Sequence, residues 1–159
     1  MKAIIIILFI NIFLASTKLN ANESFMKNSS EALNYVFSPI DNDSFIGISL
    51  QLEDYFNKFI FNLKLNIFEG IGDARNNTIF SLMPGLGYTL VGNTNSIHKI
   101  NLKLSAGLTS LRQNDFMGSG FGSETSLEYK YKNFALDLAY LNLNSNLNEY
   151  IKIGFRYYN

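Results

Sequence analysis

Seven stretches between Ser44 and Tyr158 set a large apolar side chain against a small or polar one at every second position. From Lys58 to Ile67, the residues Phe59, Phe61, Leu63, Leu65 and Ile67 fall on one face, and Asn62, Lys64 and Asn66 on the other. A period of two describes strands, whose successive side chains point to opposite sides of a sheet; a helical period would scramble every one of these faces. The same pattern sets Ile46, Ile48, Leu50 and Leu52 against Gly47, Ser49 and Gln51. It recurs in Phe80–Leu90, Ile100–Thr109, Leu127–Tyr131, Phe134–Tyr140 and Ile151–Tyr158. Single-chain bacterial barrels close on an even number of strands, so an eighth, short strand is expected around Leu33–Phe37, with Ser38–Asp43 turning into the next. The only stretch open to a helical reading is Glu23 to Leu33. The expected architecture is all-β: an eight-stranded antiparallel up-and-down transmembrane β-barrel over residues 33–159, with 22–32 as a lead-in.

The start of the chain has a different character. Lys2 precedes an apolar run from Ala3 to Ala15, broken only by Asn11, and small or polar residues follow from Ser16. That run is short of the ~20 apolar residues a spanning helix needs. It reads as a secretory signal over residues 1–21, cleaved after Ala21; a cut after Ser16 and an uncleaved anchor are the alternatives. Thirteen Lys and Arg balance thirteen Asp and Glu, so no net field draws the chain to nucleic acid. Absence of cysteine excludes disulfides, thiol chemistry and lipid attachment to an N-terminal Cys.

Alternation alone does not say which face is outside, and a soluble lipocalin-like barrel with a greasy interior is the alternative. Three features favour lipid outside. The non-apolar face is mostly Gly, Ser, Thr and Asn, with little charge for a soluble surface. Tyr55, Phe56, Phe68, Tyr131, Phe134, Tyr157 and Tyr158 gather near strand ends, as in an interfacial girdle. Gly154-Phe155-Arg156-Tyr157-Tyr158 resembles the terminal strand that barrel-assembly machinery reads, although Asn159 follows it. The expected partners are outer-membrane lipid and that machinery, and the expected address is the outer membrane of a diderm bacterium. Inner turns are expected at Glu53–Asn57, Gly92–His98 and Lys132-Asn133. Outer loops fall at Ser38–Asp43, Glu69–Thr78, Leu111–Gly120 and Asn144–Asn146, the second and third being available to a surface ligand.

With lipid outside, Lys64, Lys103, Lys130, Lys152 and Arg156 project inward with Glu128 and Asp137. A barrel of eight strands is filled by side chains, so these form a charged plug and not a wide channel. Five bases against two acids call for trapped water or further acceptors.

No catalytic residue, cofactor or metal site is assigned. His98 is the single histidine and lies in an expected turn, without a partner set at metal-ligand spacing. Gly118-Ser119-Gly120-Phe121-Gly122 is read as a flexible loop. Leu82-Met83-Pro84-Gly85-Leu86-Gly87-Tyr88, Lys103-Leu104-Ser105-Ala106-Gly107-Leu108 and Ala139-Tyr140-Leu141-Asn142-Leu143-Asn144 together resemble the lipid A 3-O-deacylase family over roughly Leu33 to Tyr158. That resemblance implies an eight-stranded outer-membrane barrel that removes an acyl chain from lipid A. Its hydrolytic site, a His-x-Ser pair on the penultimate strand and a Glu leading into the last, would map to Leu141, Leu143 and Glu149. Only the Glu is present here. The leading expectation is therefore a non-enzymatic barrel with a structural or surface-interaction role, ahead of a degenerate deacylase-like barrel and a soluble ligand-binding barrel.

Overall fold

The computed structural model describes residues 28–93, 95–113, 116–143 and 148–159. The expected signal segment and residues 22–27 of the lead-in lie outside that set. Eight strands follow in chain order: β1 Asn28–Phe37, β2 Ser44–Phe56, β3 Phe59–Ile71, β4 Asn77–Val91, β5 His98–Gln113, β6 Phe116–Tyr131, β7 Phe134–Leu143 and β8 Asn148–Tyr158. Each pairs antiparallel with its neighbour in sequence, and β1 pairs with β8 from Ser30↔Tyr158 to Phe37↔Ile151, closing the barrel. Closure leaves no free sheet edge along the paired segments, so backbone N–H and C=O groups are satisfied without water.

The eighth strand is where an even count required it, but it is longer than the sequence pattern showed. Residues 28–32, assigned to the lead-in, and the Asn28–Leu33 part of the stretch open to a helical reading are strand, in register with Glu53–Ile48 of β2. The turn expected at Glu53–Asn57 shrinks to Asn57-Lys58 between β2 and β3, and His98 already belongs to β5, while β6 and β7 are joined by Lys132-Asn133 as expected. Asn57 and Lys132 both take positive φ, which lets two residues reverse the chain. The largest difference is at the other end. Glu69–Thr78 holds only a short connection with a 3₁₀ turn at Gly72–Ala74, and most of Leu111–Gly120 is the upper part of the β5–β6 pair. Among the described residues, which leave out the loop expected at Asn144–Asn146, pairing of β6 with β7 extends to Gly122↔Leu143, whereas β5 and β6 stay in register up to Gln113↔Phe116. The glycine-rich segment is thus strand that rises beyond the top of β7. Backbone pairing holds these residues extended in spite of their glycine content.

Pleating sorts the side chains by face. Thirty large apolar residues are exposed among the described residues, including Leu86, Leu104, Leu108, Leu138 and Phe155. The buried set is dominated by Ser, Asn, Lys, Glu, Asp and Arg. This inverts a lipocalin, so the reading of a soluble barrel with a greasy ligand cavity is overturned. Four of the seven aromatics expected in the girdle, Phe56, Tyr131, Phe134 and Tyr157, do face out. Phe68 and Tyr158 are buried and Tyr55 is bonded to buried Glu53, so these three belong to the interior. The outward ring at the turn end is completed by Phe59, Tyr88 and Tyr129.

Glycine serves the wall at two positions. A Cβ on Gly47 would land on the carbonyl oxygen of Ile67 in β3, and one on Gly107 on that of Leu82 in β4. Here adjacent strands come closer than a side chain permits. Gly107→Ala should therefore cost about 1–3 kcal/mol, the usual range for overpacking, read as a lower urea midpoint of the refolded protein in detergent.

Candidate functional site

The interior has two layers. Towards the end formed by the Ser38–Asp43 and Gly72–Asn76 connections, Val36, Phe45, Phe68, Ala74, Ile79, Met83, Leu141, Leu143 and Tyr150 pack into an apolar cluster. Phe45 and Tyr150 meet edge to face with ring centroids 5.6 Å apart. Below it the lining turns polar. Asn34 Nδ2 donates to Ser49 Oγ at 2.9 Å, Ser49 Oγ to Asn66 Oδ1 at 2.5 Å, and Asn66 Nδ2 to Ser81 Oγ at 2.8 Å, a girdle of hydrogen bonds across β1 to β4.

Below that girdle lies an alternating chain of charges. Lys64 Nζ is 2.5 Å from Glu124 Oε1, which is 2.8 Å from Lys152 Nζ. Lys152 lies 3.4 Å from Asp137 Oδ2, which lies 3.4 Å from Arg156 Nη2. Arg156 Nε is 3.5 Å from Glu128 Oε2, Lys103 Nζ is 2.8 Å from the same oxygen, and Lys103 reaches Glu53 Oε1 at 2.5 Å. Four cations and four anions alternate, so the chain has zero formal charge. All eight are buried. Six strands contribute to it. The other two are attached by hydrogen bonds: Arg156 Nη1 donates to Ser30 Oγ of β1 at 3.1 Å, and Thr89 Oγ1 of β4 donates to Asn101 Oδ1, whose amide donates to Glu128. Lys152 Nζ and Arg156 Nε sit within ion-pair range of carboxylates, but Lys152 Nζ and Arg156 Nε lack hydrogen-bond geometry, so these links are electrostatic contacts and not tight bonds.

Six of the seven residues expected inside, Lys64, Lys103, Glu128, Asp137, Lys152 and Arg156, are brought together in this chain. Lys130 is not. Its Nζ lies 3.3 Å from the ring centroid of Tyr158, at the mouth of the barrel, and it forms no ion pair among the described residues. The acceptors missing from the sequence reading are Glu53 and Glu124. The sequence pattern puts Glu53 in a turn and Glu124 ahead of its strand, because the visible alternation is shorter than β2 and β6. Running the period of two onward from Gln51, or back from Glu128 and Ser126, reaches both.

At the turn end, Tyr55, Lys99, Lys130 and Lys132 line a cavity of about 520 Å³ with Asn28 and Asn133. The opposite rim is acidic. Asp43 there has its carboxyl pushed above the ordinary value by partial burial, then by Asp41 and Asp73. A raised carboxyl binds its proton more readily in the folded state, so this rim gains stability as pH falls through that range.

The positions implied by the deacylase resemblance do not converge. Leu141 and Leu143 are buried in the apolar cluster. Glu149 lies between inward Tyr150 and the strand start, on the outward face, opposite Asn142 in register. Neither a base nor a nucleophile stands at the first two positions, and the third is on the other side of the wall. His98 is exposed, its Nδ1 2.8 Å from the Tyr129 hydroxyl, and belongs to the aromatic ring at the turn end.

No family model and no curated protein matches this sequence. Solved structures do match the fold. Neisserial surface protein A is 14% identical with a TM-score of 0.60, over 82% of this chain and 93% of that one. The outer membrane enzyme PagL is 12% identical with a TM-score of 0.54, over 82% and 97%. The N-terminal β-barrel domain of Pseudomonas aeruginosa OprF is 14% identical with a TM-score of 0.51, over 84% and 98%. The chain therefore shares its fold with small eight-stranded barrels that include an outer-membrane enzyme.

Proposed function

We propose that this protein is an integral barrel of the outer membrane of a diderm bacterium, closed along its axis by its own side chains, with a structural or surface-interaction role and no catalysis of its own. One observation carries the reading: the apolar face is outside and the buried face is ionic. Thirty exposed large apolar residues far exceed the patch a monomer keeps in water, whereas lipid accommodates them at no cost. Strands of 10 to 16 residues suit a tilted crossing, which takes about ten. The aromatic ring at Phe56, Phe59, Tyr88, Tyr129, Tyr131, Phe134 and Tyr157 suits the headgroup level.

Two-residue turns at Asn57-Lys58 and Lys132-Asn133 favour that end as periplasmic. The surface offered outside is then the rising β4–β6 segment and the short connections at 38–43 and 72–76. The two-layered filling supports a sealed interior, and the barrel-assembly machinery would receive the outward Phe155 and Tyr157 of β8.

Two measurements test this. The protein should sediment with outer membranes and migrate faster unboiled than boiled on detergent gels; a folded protein that stays soluble without detergent refutes the membrane reading. Lipid A from cells with and without the protein should have the same acyl chains by mass spectrometry, and loss of a chain would restore the enzymatic alternative.

A further inference from the structure

At the turn end β2 outruns one of its two partners. Its pairing with β1 begins at Asn28↔Glu53, whereas its pairing with β3 runs on through Asp54↔Phe61 and Tyr55↔Ile60 to Phe56↔Phe59. Among the described residues, the β1 side of Asp54–Phe56 therefore carries no strand. The Tyr55 N–H donates to the Asp54 carboxylate, with Oδ1 at 2.9 Å. A side chain turned back onto its neighbour's backbone in this way serves a donor that has no strand carbonyl across from it. Left bare, such an edge is a template for another strand.

The segment placed to cover it belongs to the chain itself. Residues 22–27, outside the described set, lead into β1 at Asn28, and the register of β1 on β2 assigns each a partner as the strand continues. Lys27 falls opposite Asp54, Met26 opposite Tyr55 and Phe25 opposite Phe56. In β1 the even residues Ser30, Ala32, Asn34 and Val36 are buried, while Leu33 and Tyr35 are exposed. The same alternation assigns Met26 to the inward face and Lys27 and Phe25 to the outward one. Each pair is complementary. Lys27 and Asp54 are opposite charges directly across an antiparallel ladder, and Phe25 beside Phe56 is an aromatic pair in the outward ring. Met26 meets the Tyr55 ring, a favourable sulfur–aromatic contact, over the cavity that Asn28 and Tyr55 line.

We propose that Phe25–Lys27 extend β1 along the open edge of β2, and that this N-terminal strap lays Met26 across the mouth of the barrel. Asp54 then turns from the backbone of Tyr55 to Lys27. Reach is no obstacle, since six extended residues span up to about 20 Å and the open edge is three residues long. A second copy is the poorer occupant. Two barrels inserted in the same sense run β2 in the same direction, so neither offers the other an antiparallel β2. The pairing holds for any signal cut ahead of Phe25, and it does not depend on which end of the barrel faces the periplasm.

The test uses the chain from Asn22 onward, refolded in a non-ionic detergent and checked by heat-modifiable migration. Because the sequence has no cysteine, crosslinks can be placed one pair at a time. Phe25→Cys with Phe56→Cys sets two thiols directly opposite, with Cα atoms roughly 5 Å apart, a spacing a disulfide accepts. Phe25→Cys with Asn133→Cys places the second thiol elsewhere on the rim of the mouth, where a tail without a fixed seat would reach it as readily. Under mild oxidation the first pair should crosslink about five-fold more than the second, and equal yields overturn the proposal. The cover is read separately with Lys130→Cys, whose thiol lies in the cavity. A bulky maleimide should label it about ten-fold faster in a folded chain starting at Asn28 than in one starting at Asn22. Should the shorter chain not fold, Met26→Gly keeps the strap's backbone and should raise the rate about three-fold. An unchanged labelling rate in either folded variant overturns the proposal.

Discussion

Glu124→Gln should lower the unfolding free energy of the refolded barrel by about 3–5 kcal/mol, the usual loss when one partner of a buried ion pair is removed. Glu124 Oε1 is shared by Lys64 and Lys152, at 2.5 Å and 2.8 Å. Glutamine keeps the shape and removes the charge, leaving Lys64 with no carboxylate in range and Lys152 with only Asp137 at 3.4 Å. Both ammonium groups stay buried, and the uncompensated desolvation supplies the loss. The check is the urea midpoint in detergent micelles, at unchanged slope. A second variant separates charge balance from packing: Lys64→Met, Glu124→Leu and Lys152→Met together remove the charges as a set and should recover most of the lost stability. A loss below about 1 kcal/mol for Glu124→Gln would mean that the chain is a loose, hydrated assembly, with pairs no stronger than exposed ones.

Leu138→Arg should destabilise the barrel by about 2–4 kcal/mol in a bilayer, and Tyr157→Arg by about 0–1. Leu138 sits midway along β7, outward and 54% exposed, between Leu127 of β6 and Ile153 of β8 in register. Tyr157 lies in the ring at the turn end, where an arginine reaches the headgroups. In water both substitutions would be harmless on an exposed face. The difference between the two sites, measured by reversible unfolding from lipid vesicles, therefore measures the membrane itself. Equal effects at the two positions would refute a lipid-facing wall.

Sequence made the wall legible and left its ends obscure. Alternation along Phe59–Ile67 or Phe134–Tyr140 is repeated by pleating alone, because a strand puts each second residue on one side whatever its neighbours do. Ends depend on pairing partners. Residues 111–120 contain glycine and polar residues that look like a loop, yet β5 and β6 hold one another extended to Gln113↔Phe116. Glu53 was hidden for the same reason, since Asp54 and Asn57 beside it resemble turn residues while β2 continues to Phe56. The inward set was visible as a list of lysines with too few acids. Which cation meets which anion was not, because Lys64 and Glu124 become neighbours only through closure of the whole barrel. The division between Lys103, which is ion-paired, and Lys130, which rests on a tyrosine ring, likewise depends on height within the lumen and not on strand period.

The alternating charge chain also constrains how the strands may align. Its links join residues far apart in sequence, from Lys64 to Glu124 and from Glu53 to Lys103. A strand's side chains alternate, so an offset of one residue between β5 and β6 would turn one complete set of interior charges towards lipid, and an offset of two would move Lys103 about 7 Å along the axis from Glu128. Neither error leaves the eight charges matched. The outward leucines and isoleucines are interchangeable with one another and tolerate the offset of two, which keeps the apolar face out. It is the ionic interior that makes one alignment unique, and the barrel reads its own register only when the last strand meets the first.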